Sequence, residues 1–162
     1  MKLHIQKLSE TASLPAYAHP GDAGMDLCAS EARTLAPGQC MPVPTGIAIQ
    51  LPPGTEGQVR PRSGLAARHQ VTVLNSPGTI DEGYRGEVKV LLINHGPQAF
   101  DVTVGMRIAQ LVIAPVSHAE VSEVSDLETS ARGTGGFGST GTAEFTAPPG
   151  PTPTTPGTSA ST

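Results

Sequence analysis

Short apolar runs, each bounded by Gly, Pro, Asn or Asp, recur along the chain, while apolar positions at helical spacing are scarce. This pattern predicts an all-β domain. Strands are expected over Leu3–Leu8, Gly24–Cys28, Pro42–Gln50, Gly57–Arg60, Val71–Leu74, Glu87–Asn94, Phe100–Val104, Met106–Pro115 and Glu120–Val124. Ile47–Leu51 and Val88–Ile93 are dense in branched aliphatic residues and alternate only in part, as strands covered on both faces do. A sandwich or jelly roll accommodates such a set. One short helix is expected over Ser63–His69, with Ser63 as its N-cap before Leu65-Ala66-Ala67.

Composition refines this picture. Gly and Pro together supply 35 of 162 residues (19 Gly and 16 Pro), which excludes a long-helix or coiled-coil protein. Hydrophobic residues at 37% suffice for one core, and the length fits one domain. Residues 1–130 are expected to form that β domain. From Ala131 onward there are 7 Gly and 5 Pro, and residues 142–162 carry a single charge, Glu144, and no apolar periodicity. Residues 131–141 therefore read as a Gly-rich arm and 142–162 as a disordered Pro/Thr-rich tail.

Charge and cysteine usage narrow the function classes. A net charge of −4 argues against a broad footprint for nucleic acid or for an anionic membrane, so an anionic ligand must be held by a few placed cations. No apolar run reaches the length of a membrane span, and the first ten residues lack the order of a signal peptide. Cys28 and Cys40 form neither a Cys-x-x-Cys nor a zinc pattern and read as reduced thiols, most simply in a cytoplasmic protein.

Five Gly-punctuated clusters carry the candidate chemistry. In Ala23–Leu27, Asp26 reads either as a turn-closing residue or as a hard oxygen ligand for Mg²⁺ shared with substrate phosphates. In Pro61–Ala66, Arg62, Ser63 and Gly64 offer a guanidinium fork, a hydroxyl and free amides that match phosphate oxygens. In Leu74–Glu87, Asn75 can read the edge of a flat heterocycle, and Pro77-Gly78 turns the chain into an expected hairpin that presents Asp81 and Tyr84 together. Asp81 reads as a turn cap or as a general base for water, and Tyr84 as a packing residue or as a ring face for a sugar or base. In Gly105–Leu111, Gln110 is either a satisfied core amide or a donor to a ligand oxygen, and Arg107 an ion-pair partner. In Arg132–Gly141, Arg132, Phe137 and Ser139 lie at short spacing in a run too rich in Gly for a regular element, as in a mobile arm that closes a site.

Together and in this order, the five clusters resemble the five motifs of the trimeric deoxyuridine triphosphatase (dUTPase) family, from about Leu3 to Gly141. The resemblance implies a jelly-roll-like β domain and a homotrimer whose three sites lie at subunit interfaces, each closed by the arm of another subunit. It implies hydrolysis of dUTP to dUMP and pyrophosphate with Mg²⁺, which keeps uracil out of DNA and supplies dUMP for dTMP synthesis. By the same resemblance, Asp26 holds Mg²⁺ through water, and Arg62, Ser63 and Gly64 contact phosphates. Asn75, Thr79, Ile80 and the backbone near Lys89 surround uracil, Asp81 activates the attacking water, and Tyr84 packs under deoxyribose. Gln110 touches the α-phosphate, while Arg132, Phe137, Gly138 and Ser139 supply the arm's phosphate contacts and stacking ring. The chain departs from the commonest family pattern at Glu82-Gly83, Met106 and Thr134. Two other readings share the fold: a dCTP deaminase, alone or bifunctional with dUTPase activity, and a non-catalytic nucleotide-binding protein.

Overall fold

The computed structural model describes residues 1–136 of the chain. Among them are ten strands and one helix: β1 His4–Lys7, β2 Met25–Cys28, β3 Arg33–Leu35, β4 Cys40–Gln50, β5 Thr55–Arg60, α1 Ser63–His69, β6 Val71–Val73, β7 Gly78–Ile80, β8 Glu87–Asn94, β9 Phe100–Val102 and β10 Arg107–Pro115. They form two four-stranded sheets, β1-β4-β8-β6 and β2-β10-β5-β7, and a small pair, β3-β9, with antiparallel pairing throughout.

One core joins these sheets. Val43, Ile47, Ile49, Val71, Val90 and Leu92 come from the first, Leu27, Val59, Ile80, Ile108 and Leu111 from the second, and Leu35 and Val102 from the small pair. The expected burial on both faces holds for Ile47 to Ile49, part of a stretch of β4 buried without a break from Val43, whereas Gln50 is exposed. On β8 it holds less fully: Val88, Val90 and Leu92 are buried, Leu91 and Ile93 half-buried, and Lys89 exposed.

The β4 ladder is interrupted between Pro44 and Ala48, where Gly46 takes a positive φ of +68°. A Cβ there would come within 2.5 Å of Ser9 Oγ and 2.9 Å of Ala12 and Ser30, so this position requires glycine on both counts.

The structure corrects four expectations. Helix α1 spans Ser63–His69 as expected, but its N-cap is Arg62, in extended conformation and without a side-chain cap bond, and Ser63 is the first helical residue. The chain also does not return as a hairpin at Pro77-Gly78. β6 pairs with β8 in one sheet and β7 with β5 in the other, so residues 74–77 carry the chain from one sheet to its neighbour. A Cβ at Gly78 would lie 3.2 Å from the Asn75 side-chain amide and 3.4 Å from Val59 Cβ, so the chain runs close to both here.

Two three-residue strands, β3 and β7, lie outside the strands expected from the pattern. Conversely, Glu120–Val124 forms no strand among the described residues, and Val121 and Val124 are exposed.

The compact β domain runs from Met1 to Ala119, ending ahead of the composition change near Ser130. A second stretch begins at Glu120. Within it, Gly133 N–H donates to Ser130 O, and Arg132 Nε–H donates to Gly135 O at 3.0 Å.

Candidate active site

The candidate residues of the β domain fall into two groups. The first is built on the row where β2, β10 and β5 run side by side, with Asp26 paired with Gln110 and Gln110 with Arg60. Alternation along β2 buries Met25 and Leu27, which turns Asp26 to the outer face. The Gln110 stem crosses Gly24 so closely that a Cβ at 24 would lie 3.1 Å from Gln110 Cβ, and the glycine thereby keeps this face open.

Asp26 lies between two guanidinium groups, 3.3 Å from Arg62 Nη1 and 3.2 Å from Arg107 Nη1. Its side chain is only 12% exposed, and Oδ1 is buried without a hydrogen-bond partner. That oxygen has only the 3.3 Å ion-pair contact with Arg62, so its acceptor capacity is incompletely filled. Arg62, Gly64, Arg68, His69 and Arg107 line an adjoining cavity of about 460 Å³. Three guanidinium groups thus converge there on a chain whose net charge is −4. Such a cavity suits a polyanion. Ser63 is exposed at the start of α1.

Cys28, two residues from Asp26 and opposite Arg107 in the ladder, has its thiol pKa raised by burial and then by the Asp26 carboxylate. It therefore stays protonated near neutral pH.

The second group surrounds a cavity of about 210 Å³ lined by Thr79, Ile80, Asp81, Tyr84, Glu87, Val88 and Lys89. β7 brings in Thr79 and Ile80, β8 brings in Glu87 to Lys89, and the connecting loop brings in Asp81 and Tyr84. Asn75 stands beside this group, its amide against Gly78. Asp81 is exposed at the cavity wall, and its carbonyl accepts the Tyr84 N–H at 3.0 Å. The Tyr84 hydroxyl donates to Glu87 O at 3.0 Å, which fixes the ring across Gly86.

The two groups do not meet within one β domain. Asp26 and Asp81 are separated laterally by the three inter-strand steps from β2 to β7. Along the strands, Asp26 shares a row with Arg60, whereas Asp81 follows Ile80, the partner of Gly57. Strand and residue spacings of about 4.8 and 3.4 Å put their backbones roughly 20 Å apart.

A family model described as dUTPase matches residues 10–141. The chain belongs to the dUTPase family. The deoxyuridine 5'-triphosphate nucleotidohydrolase of Gloeothece citriformis is 62% identical over 141 residues, covering 87% of this chain and 97% of that protein. Its counterpart in Clostridium acetobutylicum is 58% identical with the same coverages. Among solved structures, the Staphylococcus bacteriophage 80alpha dUTPase with dUPNHPP superposes with a TM-score of 0.81 at 28% identity, covering 86% of this chain and 98% of that one. A mutant dUTPase from phage phi11 of S. aureus, described as coordinating a structural Mg(II) ion, gives 0.74 at 25% identity, covering 80% and 100%.

Within this dUTPase-family chain, the structure adds residues that the sequence left unassigned. Arg68 joins Arg62 and Arg107 on one cavity, and Glu87 lines the other. The position of Arg68 in the last turn of α1 was the only available signal, since helical spacing brings residues 64, 65 and 68 to one face. Arg132 belongs to the stretch after Glu120, and Phe137, Gly138 and Ser139 lie outside the described residues. No helix among the described residues is long and apolar enough to cross a membrane.

Proposed function

We propose that this chain hydrolyses dUTP to dUMP and pyrophosphate, with Asp81 as the base for the attacking water. The observation that carries this reading is the convergence of Asp81 and Tyr84 on one small cavity closed by Thr79, Ile80 and Lys89. A flat base against that wall sets its sugar over Tyr84 and its α-phosphate near Asp81. Asp81 accepts a proton from water as the water oxygen bonds to the α-phosphorus. The bond from that phosphorus to the bridging oxygen then breaks, and pyrophosphate leaves with the bond's electrons. The ring held flat across Gly86 leaves little room for a 2′-hydroxyl, and Asn75 and the neighbouring backbone supply polar partners for uracil.

Charge is handled by the other group. Arg62, Ser63, Gly64 and Gln110 bind the phosphates, with Arg132, Phe137, Gly138 and Ser139 supplied by the arm. Asp26 Oδ1, which makes no hydrogen bond and only the 3.3 Å ion-pair contact with Arg62, would hold Mg²⁺ through water. No group of three His, Cys, Asp or Glu able to hold a metal occurs among the described residues, which suits an ion that keeps its waters and is shared with substrate phosphates. When bound, Mg²⁺ offsets charge on the triphosphate and polarises its oxygens.

The separation of Asp26 from Asp81 supports a homotrimer. Roughly 20 Å is farther than one α-phosphorus with its metal and attacking water can bridge, so the phosphate group of one subunit completes the base-and-sugar group of another. Residues 1–130 form the site, 131–141 the closing arm and 142–162 an appended tail.

Pyrophosphate release from dUTP, UTP, dTTP and dCTP, with and without Mg²⁺, tests the activity, with ammonia release measured on dCTP. Mg²⁺-dependent turnover of dUTP alone is expected. Ammonia from dCTP, or no turnover of dUTP, would refute the reading, and sedimentation reports the trimer.

A further inference from the structure

The loop that carries Asp81 and Tyr84 leaves β7 in one sheet and enters β8 in the other. Its own bonds are local. Tyr84 N–H donates to Asp81 O, and Arg85 Nη1 donates to the carbonyls of Glu82 at 2.7 Å and Tyr84 at 2.8 Å. These shape the loop without attaching it to the domain.

Two glutamates make the attachment. Near the start of the loop, Glu82 Oε2 accepts the N–H of Gly54, in the turn between β4 and β5, at 2.8 Å. At its end, Glu87 Oε1 accepts the N–H of Gly46, in the interrupted part of the β4 ladder, at 2.9 Å. Both glycines have positive φ, +72° and +68°. Each presents an amide that a carboxylate, a stronger acceptor than a neutral oxygen, can take up. Glu87 also holds Lys89 at 3.4 Å, and its carbonyl accepts the Tyr84 hydroxyl.

We propose that Glu82 and Glu87 are positioning residues, a two-point clamp that fixes Asp81 and Tyr84 against β4 and the turn that follows it and thereby sets the preference for deoxyribose over ribose. The inference rests on the dUTP-hydrolase reading. Neither carboxylate acts on the reacting atoms: the two ends together hold the loop, and with it both Asp81 and the Tyr84 sugar platform. Tethering at both ends matters because misplacement of a catalytic group by about 1 Å costs roughly a hundredfold in rate.

The test compares Glu82→Ala, Glu87→Ala, Glu82→Gln and Glu87→Gln in the full chain. Each Ala variant should lose about tenfold in kcat/KM for dUTP and lower the dUTP/UTP ratio by about fivefold or more. Each Gln variant keeps an acceptor oxygen and should return to within about threefold of wild type. Equal losses on both nucleotides, with the ratio unchanged, would overturn the clamp. Hydrogen exchange at the amides of residues 46, 54 and 84 reads the clamp without turnover and should quicken in the Ala variants only. Absence of dUTP turnover by the wild type defeats the activity reading alone, whereas unchanged exchange defeats the clamp alone. Glu82 is exposed, so its Ala variant keeps the test open if Glu87→Ala fails to fold.

Discussion

The Tyr84 ring lies over Gly86 so closely that a Cβ at position 86 would come within 2.4 Å of its hydroxyl oxygen and 2.6 Å of Cζ. The ring is 46% exposed and can yield outward, so Gly86→Ala should displace it and break its bond to Glu87 O while leaving the fold intact. The expected result is a KM for dUTP raised by about tenfold with stability changed by less than about 1 kcal/mol. Initial rates and a thermal melt on the same sample check both parts.

Asp81→Asn removes the proton acceptor while keeping the shape of the side chain. Turnover should fall by about 10³-fold or more, with dUTP affinity within a few-fold of wild type, as read by single-turnover rates and calorimetric titration. Near-normal kcat in this variant would remove Asp81 from the role of base.

Asp26 is, among the described residues, the one carboxylate paired with Arg62 and Arg107. Asp26→Asn should raise the Mg²⁺ concentration for half-maximal rate by about tenfold, and chelation should abolish wild-type activity. A magnesium titration at fixed dUTP measures this, and an unchanged midpoint would contradict the assignment.

Gln70 closes α1 at φ 56°, ψ 30°, a left-handed conformation that costs a side-chain-bearing residue about 1 kcal/mol or more. Its N–H bonds to Ala66 O and Leu65 O do not depend on the side chain. Gln70→Gly should therefore stabilise the domain by up to about 1 kcal/mol, after allowance for the extra freedom of glycine when unfolded. Chemical denaturation with an unchanged slope checks this.

The long strands were legible because their sequences carry enough positions to display a period. β8 was read at its exact bounds, and β4 and β10 to within two residues at each end. β3 and β7 were not legible, and shortness alone is not the reason, since β6 and β9 are equally short and lay within the expected runs; the existence of β3 and β7 depends on partners distant in sequence. Pro77-Gly78 was legible as a turn, but not which sheet the chain enters next, because that is set by pairing with β5, a partner distant in sequence. Glu120–Val124 illustrates the converse: its two valines stand three residues apart, which specifies no strand face, and the segment forms no strand among the described residues. The site followed the same division. Asp26, Arg62 and Gln110 came from motifs, whereas the tethering carboxylates Glu82 and Glu87 are visible only once Gly54 and Gly46 are placed beside them.

The distance between Asp26 and Asp81 has a genetic consequence. If each site draws its metal-holding carboxylate and its base from different chains, two variants that are each impaired can repair one another. Unfolding and refolding Asp26→Asn together with Asp81→Asn should yield mixed assemblies in which some sites contain both intact carboxylates, so activity at limiting Mg²⁺ exceeds that of either parent. Proteins whose sites lie within one chain have no such recourse.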